Sequence, residues 1–554
     1  MVSTCNKLGQ KGSSTLMAMF FVSLFSVLSL SFVSMSHVNV NMSHNHQKMS
    51  TALAAAESGL EYAKMLVNTY DPTGSELLTA VNTVGKVDAE IMFGNFVDHL
   101  YDVMNNEDIL GPHAIYYNEA GNVLQVPDNA GIALSADDPS QFSLNLSLSE
   151  IDGKYHIVAT STGITGDLSR QVQISFPIQK DQKVLEYAIA SRGRIWVTGD
   201  TTIEGDIFSD YDNIARSPFN MTDDSTVNGT LNTVVSQQDA INALWQMETL
   251  EPMLDEYGDP ILDEFDNPVY GPVFDENGDR VYSPGDEVQG GHDGINYDQY
   301  SGVPGMDISD YDTDGYVSGL GDILGSSTIQ TEYFPHAAGN YAQKKYRSSR
   351  TLNRHVYQNQ TFTNAKLPNN RNALFINCTF DEVLYIDVNK SGSTNYNNVR
   401  FEDCTFNGTI VTDTPASLKW KKNALYFTGT ATFQNDSYEA TILAPHFNVN
   451  LGNTDPINPG ESNQLNGAII GGIVDVRGNA VVDGTIISMA DTTQYTNGYV
   501  TNIGATLGDG GSETSEAGDV GTIEITPNPD GRLPSGLTTP VVISSADSDS
   551  YVEL

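Results

Sequence analysis

Leu16-Met-Ala-Met-Phe-Phe-Val-Ser-Leu-Phe-Ser-Val-Leu-Ser-Leu-Ser-Phe-Val33 is an uncharged apolar run near the start of a chain of 554 residues. A helix of about 18 such residues is long enough to cross, or nearly cross, the hydrocarbon of a bilayer. Lys7 and Lys11 precede the run and no Lys or Arg comes after it until Lys48, so the expected orientation is N-terminus inside with the bulk exported. Three readings compete: a cleaved secretory signal with Ser34 and Ser36 near the cut, an unprocessed anchor, and the first half of a longer rod. The rod reading draws on the residues beyond Met35. Leu53, Ala56, Leu60, Ala63 and Val67 fall three or four apart on one helical face. No proline interrupts the chain between Met1 and Tyr70. A single helix from about Ser13 to Asn68 would be roughly 80 Å long.

Beyond the run lies Ala55-Ala56-Glu57-Ser58-Gly59-Leu60-Glu61-Tyr62-Ala63. A cationic leader ending in Lys11-Gly12, an apolar helix and then this Ala-Glu segment together resemble the N-terminus of type IV pilins, more narrowly the minor pilins of the PilX type. The match covers about an eighth of the chain. The resemblance implies cutting after Gly12 by a prepilin peptidase, Ser13 as the new N-terminus, and an assembly helix carrying Leu16, Ala55, Ala56, Glu57, Gly59 and Leu60. Major pilins carry Glu at the fifth residue after the cut, whereas this chain has Met17, a departure that the PilX type shares and that argues against a major subunit. Ser23, Ser26 and Ser29 recur within the apolar run; their hydroxyls can bond across a helix interface or back to their own helix. Glu57 can pair with a cation on a neighbour or stay a solvated charge.

The remainder is bounded by composition. A formal charge of −43, from 27 Lys and Arg against 70 Asp and Glu, would repel the phosphate backbone, so nucleic acid is excluded as a partner. The length exceeds one ordinary core, and two or three units are expected. Of three cysteines, Cys5 falls in the leader, leaving Cys378 and Cys404. Two cysteines do not make a disulfide-stapled scaffold, and they are read as small buried core residues in preference to a bonded pair.

Residues 69–185 read as a small α+β head: helical spacing over 75–105, then strand patterns at 142–148, 155–160 and 171–176. From Ile195 the pattern changes. Ile195-Trp-Val-Thr-Gly-Asp-Thr-Thr-Ile-Glu-Gly-Asp-Ile207 aligns without a gap to Val474-Asp-Val-Arg-Gly-Asn-Ala-Val-Val-Asp-Gly-Thr-Ile486, with a shorter echo at Thr226-Val-Asn-Gly-Thr-Leu231. In the centre, Phe375-Ile-Asn-Cys-Thr-Phe380 recurs as Phe401-Glu-Asp-Cys-Thr-Phe406, a step of 26 from 375 to 401, and Thr432-Phe433 succeeds Thr405-Phe406 at 27. Asn372-Ala-Leu-Phe375 recurs as Asn423-Ala-Leu-Tyr426, 51 residues on. Repeats in the twenties with inward apolar pairs and Gly at corners suit a parallel β-helix, whose coils bury their faces against one another.

An acidic, turn-rich insertion is expected at 241–355, where Leu254-Asp-Glu-Tyr, Leu262-Asp-Glu-Phe and Phe274-Asp-Glu-Asn open three similar units. Within it, Asp310-Tyr-Asp312-Thr-Asp314-Gly315 places oxygens at alternate positions with Gly at the sixth, as a calcium loop requires. It is similar to EF-hand and dockerin loops, but the twelfth position is Gly321 and Asp322 comes one residue late. Ca2+ bound by Asp310, Asp312 and Asp314, or a plain acidic turn, both remain open. No other cofactor is expected. The cations Lys344, Lys345, Arg347, Arg350, Arg354 and His355 are expected to dock on the acidic insertion, with an anionic partner as the rival.

No phosphate loop, nucleophile elbow, His-Glu-x-x-His or zinc-spaced cysteine pair occurs. The fold expected is α+β: leader 1–12, transmembrane and emerging helix 13–68, head 69–185, a right-handed parallel β-helix over 186–240 and 356–505, the insertion between them, and a low-complexity tail 506–554. The function expected is that of a non-enzymatic minor pilin or pseudopilin of a type IV pilus or type II secretion-like system. It would be a single-pass protein of the bacterial cytoplasmic membrane, exposed on a pilus or the cell surface. Its partners would be the membrane, prepilin peptidase, other pilin subunits and an extracellular surface ligand. The alternative is a membrane-anchored carbohydrate-active β-helix enzyme.

Overall fold

The computed structural model describes residues 11–554 apart from short gaps and the segments 108–114, 253–269, 273–281, 300–312, 334–350, 389–396, 415–422, 452–461, 491–499 and 505–521. The chain divides into two compact units, one made of 1–77, 83–179 and 541–554, the other of 78–82 and 180–540.

The first unit opens with one helix, α1, Lys11–Thr69. A second helix, α2, spans Lys86–Glu107. Its Ala89, Met92, Phe93, Phe96, Val97 and Leu100 are buried at helical spacing. The helical spacing read from residue 75 begins too early: Leu78–Thr79 is a strand, antiparallel to Thr539 and Pro540. A two-residue strand whose partner lies at the far end of the chain leaves no local periodicity to read. After α2 come antiparallel strands, chiefly Asp138–Ile151, Lys154–Thr165 and Leu168–Lys180. Asp152 and Gly153 form the first turn with φ of 50° and 77°, the two positive values a tight hairpin demands. Leu124, Leu144, Leu146, Ile157, Ala159, Val172, Ile174 and Phe176 point from the sheet into one core with α1 and α2.

The second unit is built from parallel ladders. Interior residues stack rung on rung: Phe375 faces Phe401 and Phe401 faces Phe427, while Phe380 faces Phe406 and Phe406 faces Phe433. The rings track the backbone. Phe375, Phe401 and Phe427 stack at 5.5 and 5.1 Å, Phe380, Phe406 and Phe433 at 5.1 and 4.5 Å. The two columns meet edge-to-face, with Phe401 and Phe406 at 5.1 Å, the geometry the ring quadrupole favours. The 51-residue alignment of Asn372 with Asn423 is off by one. Phe375 shares its column with Phe427, and Tyr426 is level with Arg400; a one-residue slip exchanges the faces of a strand.

The long gapless repeat has a register of its own. Trp196 pairs with Asn502 and Asn502 with Asp475; Ile203 pairs with Ile525 and Ile525 with Val482; Ile207 pairs with Ile189 and Ile189 with Ile486. The aligned residues therefore share columns, with one strand between them. The rung 189–204 lies between two others: 207–228 on one side and strands of 486–526 on the other.

Corners recur in register. Two residues past the inward Phe, Tyr or Val, Asn359, Asn377, Asp403, Gly199, Gly429 and Gly478 all take positive φ, between 48° and 67°. At the next corner a glycine comes after an acid or Asn at 205, 229, 408, 467 and 484. A Cβ on Gly408 would lie 1.8 Å from the Glu382 carbonyl oxygen.

Three expectations differ from the observed structure. The tail 506–554 contains strand Ile523–Thr526 in the parallel stack, strand Thr539–Ile543, and Val552–Glu553, which pairs with Gln173 and Val172. Local composition concealed partners hundreds of residues away. Arg354 does not dock on the acidic units; it is fully buried and donates to the carbonyls of Ala373 and Asn398 at 3.2 and 2.7 Å, because a guanidinium taken from water needs acceptors. Lys344, Lys345, Arg347 and Arg350 lie outside the described residues, as do 254–269 and 274–280 of the acidic units. The range 241–355 expected as an insertion is not wholly outside the stack: Ile295–Asn296, Gly321–Asp322 and His355 pair in parallel with Leu231–Asn232, Ala365–Lys366 and Ala373, while Gln246–Glu248 with Tyr282–Pro284 and Leu250–Pro252 with Tyr270–Pro272 form two antiparallel pairs.

Candidate membrane and assembly helix

α1 has two halves of different chemistry in one unbroken element of 59 residues, about 88 Å at 1.5 Å per residue. Every residue from 14 to 47 is exposed. Leu16, Met19, Leu30 and Phe32 each show more than 70 % of their surface. A helix that is apolar all round and uncovered calls for lipid or other helices as its solvent. It is one helix long and apolar enough to cross a membrane. Ser23 and Ser26 donate to the Phe20 and Val22 carbonyls at 2.9 and 2.7 Å, so these hydroxyls are satisfied within the helix.

From Ala52 onward the helix is amphipathic. Ala52, Ala55, Ala56, Leu60, Ala63, Leu66 and Val67 are buried, and the helix packs on strands Asp138–Ile151 and Lys154–Thr165. Small residues allow a close approach. A Cβ on Gly163 of the sheet would stand 2.0 Å from the Ala52 oxygen and 2.4 Å from the Ala56 nitrogen; one on Gly59 of the helix would stand 2.1 Å from Ser161 Oγ. Lys48, where the exposed half meets the packed half, bonds Asp167 at 2.9 Å. That hydrogen bond, with a backbone one and the ammonium charge, holds the Asp167 carboxyl below its ordinary range.

Of the residues singled out in the sequence, Gly12 and Ser13 lie in the first turn of α1, their side chains outside the described residues. Leu16 is exposed; Ala55, Ala56, Gly59 and Leu60 are buried within their own unit. Glu57 is exposed and accepts a hydrogen bond from Tyr551 at 3.4 Å. Asp310 and Asp312 lie outside the described residues, and Asp314 opens the short turn Asp314–Tyr316. Gly163, Lys48 and Asp167 were not anticipated. Gly163 sits mid-strand in a sequence of Thr and Ile, the usual mark of a close backbone approach.

The chain matches no protein-family model and no curated protein. Among solved structures it is similar to the competence-associated pilin ComZ from Thermus thermophilus, at 12 % identity over 92 % of this chain and 97 % of that one, with a TM-score of 0.27. It is also similar to a glycosylated ice-binding protein from an Arctic yeast, at 10 % identity over 64 % and 97 %, with a TM-score of 0.16. Likenesses this weak carry no argument about function.

Proposed function

We propose that the chain is a minor pilin or pseudopilin-like envelope protein of a type IV pilus or type II secretion-like system, its parallel stack a right-handed β-solenoid displayed for assembly, adhesion or surface contact. One observation carries the reading: a single continuous helix whose first half is apolar and uncovered while its second half is the spine of an antiparallel sheet. A cleaved signal has no reason to continue unbroken into a folded core; an anchor that later bundles with its like does. Ala55, Ala56, Gly59 and Leu60 serve their own head in this reading, leaving Leu16 and the apolar run for neighbouring subunits or lipid. Outward on the solenoid, Thr361, Thr379, Thr405 and Thr432 stand in register, a hydroxyl-bearing column suited to a surface contact.

Intact-mass and N-terminal analysis of the membrane-extracted protein tests this. The expected chain begins at Ser13, cut after Gly12 by a prepilin peptidase. A start at Met1 would leave a plain anchor, a start near His37 a secreted protein, and either would end the pilin reading.

A further inference from the structure

We propose that Cys378 and Cys404 are a cross-rung disulfide pair, oxidised as the parallel stack folds outside the reducing cytoplasm; the cellular half of this rests on the proposed export of the chain. The register puts the two residues level. Ile376 faces Glu402 and Thr379 faces Thr405 on neighbouring strands, so Cys378 faces Cys404, and the Thr405 amide donates to the Cys378 carbonyl at 2.9 Å. Adjacent strands lie about 4.8 Å apart, inside the span of about 4.4–6.8 Å that disulfide-bonded Cα atoms occupy. Both side chains enter the same interior. Cys404 Sγ reaches back to the Phe375 carbonyl, on the Cys378 rung, at 3.5 Å. The neighbouring Cys404 thiol holds the Cys378 thiol below its ordinary value, while Cys378 and burial push Cys404 up.

The chemistry balances with a disulfide carrier, small-molecule or protein, as oxidant. Cys378 thiolate attacks one carrier sulfur, forming a mixed disulfide and expelling the other as a thiolate. Cys404 then gives up its proton, attacks Cys378 Sγ and expels the second carrier sulfur. Two S–H bonds and one carrier S–S bond are replaced by one S–S bond and two carrier thiols. With 1 % and 0 % of their surfaces exposed, the thiols meet a carrier only before the neighbouring rungs close, and the finished bond is shielded by the same burial. Both residues are free thiols in this structure.

The test uses the full chain in detergent, reduced, unfolded and refolded in a glutathione buffer at the ratio of exported compartments, then acid-quenched, digested and mapped by mass spectrometry. The expected product is a Cys378–Cys404 linked peptide in most chains, absent from Cys404→Ser and accompanied by a higher melting midpoint than with reductant. Recovery of both cysteines as free, alkylated thiols from the refolded wild type would overturn the proposal. The same map on protein taken directly from cells separates the premises: a pair linked in the buffer yet free in the cell supports the pair and rejects the export reading.

Discussion

A carboxyl group shut away from water favours its proton, and Asp181 is such a group. It is 5 % exposed, and burial raises its pKa against the lowering effect of the Lys183 amide, which donates to Oδ1 at 3.0 Å. A raised folded value means that its contribution is complete below the ordinary carboxyl range and is lost as pH rises through the folded value. Asp181→Asn keeps the acceptor and removes the charge, so thermal unfolding should show a gain over wild type at about pH 7 and little difference at about pH 4. Gly408→Ala should lower stability by about 1–3 kcal/mol in chemical denaturation, because its Cβ would meet the Glu382 carbonyl. The positive-φ corners that precede such glycines were half legible. Gly199 and Gly478 announced theirs, whereas Asn359, Asn377 and Asp403 hide the same backbone turn behind side chains that also tolerate positive φ. That disguise is why the phenylalanine repeat and the glycine repeat read as two patterns when they are one.

Between elements the decisive contacts are those of α1 with its sheet and of one rung with the next. Gly163→Val should prise the helix from the sheet, since even a methyl group would overlap the backbone at Ala52 and Ala56. The expected result is a loss of amide-exchange protection over 52–67 and about 1–3 kcal/mol of stability, with residues 14–47 still helical. Phe401→Leu interrupts a ring column at its middle, removing stacked contacts with Phe375 and Phe427; a loss of about 1–3 kcal/mol in chemical denaturation is expected. The periodicity of α1 and the step of 26 between phenylalanines were plain in the sequence because each repeats a local spacing. The docking site on the sheet was not, since one glycine among strand residues carries no sign of what approaches it. Tyr426 misled for a different reason: in a strand, a residue one place from the right one belongs to the opposite face.

At the level of the molecule, the second unit takes the short segment 78–82 and one long excursion that leaves the first unit at residue 180 and returns at 540. Its ends meet, for the Asp181 amide donates to the Pro540 carbonyl at 2.8 Å. Replacing 180–540 by a short linker should leave α1 and the antiparallel sheet folded, as read by circular dichroism and limited proteolysis; collapse of the sheet would make the two units one cooperative body. None of this was legible from composition, which made 506–554 a loose tail when it supplies the strands that finish both units. The placement of the first rung, 189–204, has a temporal meaning. Its second neighbour is not synthesised until residues 486–526 appear, so a chain delivered from its N-terminus carries three unpaired strand edges through nearly the whole of its emergence. Such edges attract foreign strands, and contacts of this sequence separation form slowly. A holding factor during delivery, or slow delivery itself, would shield them. A chain cut short before 486 never acquires that cover, and its strands at 189–204 keep one edge open.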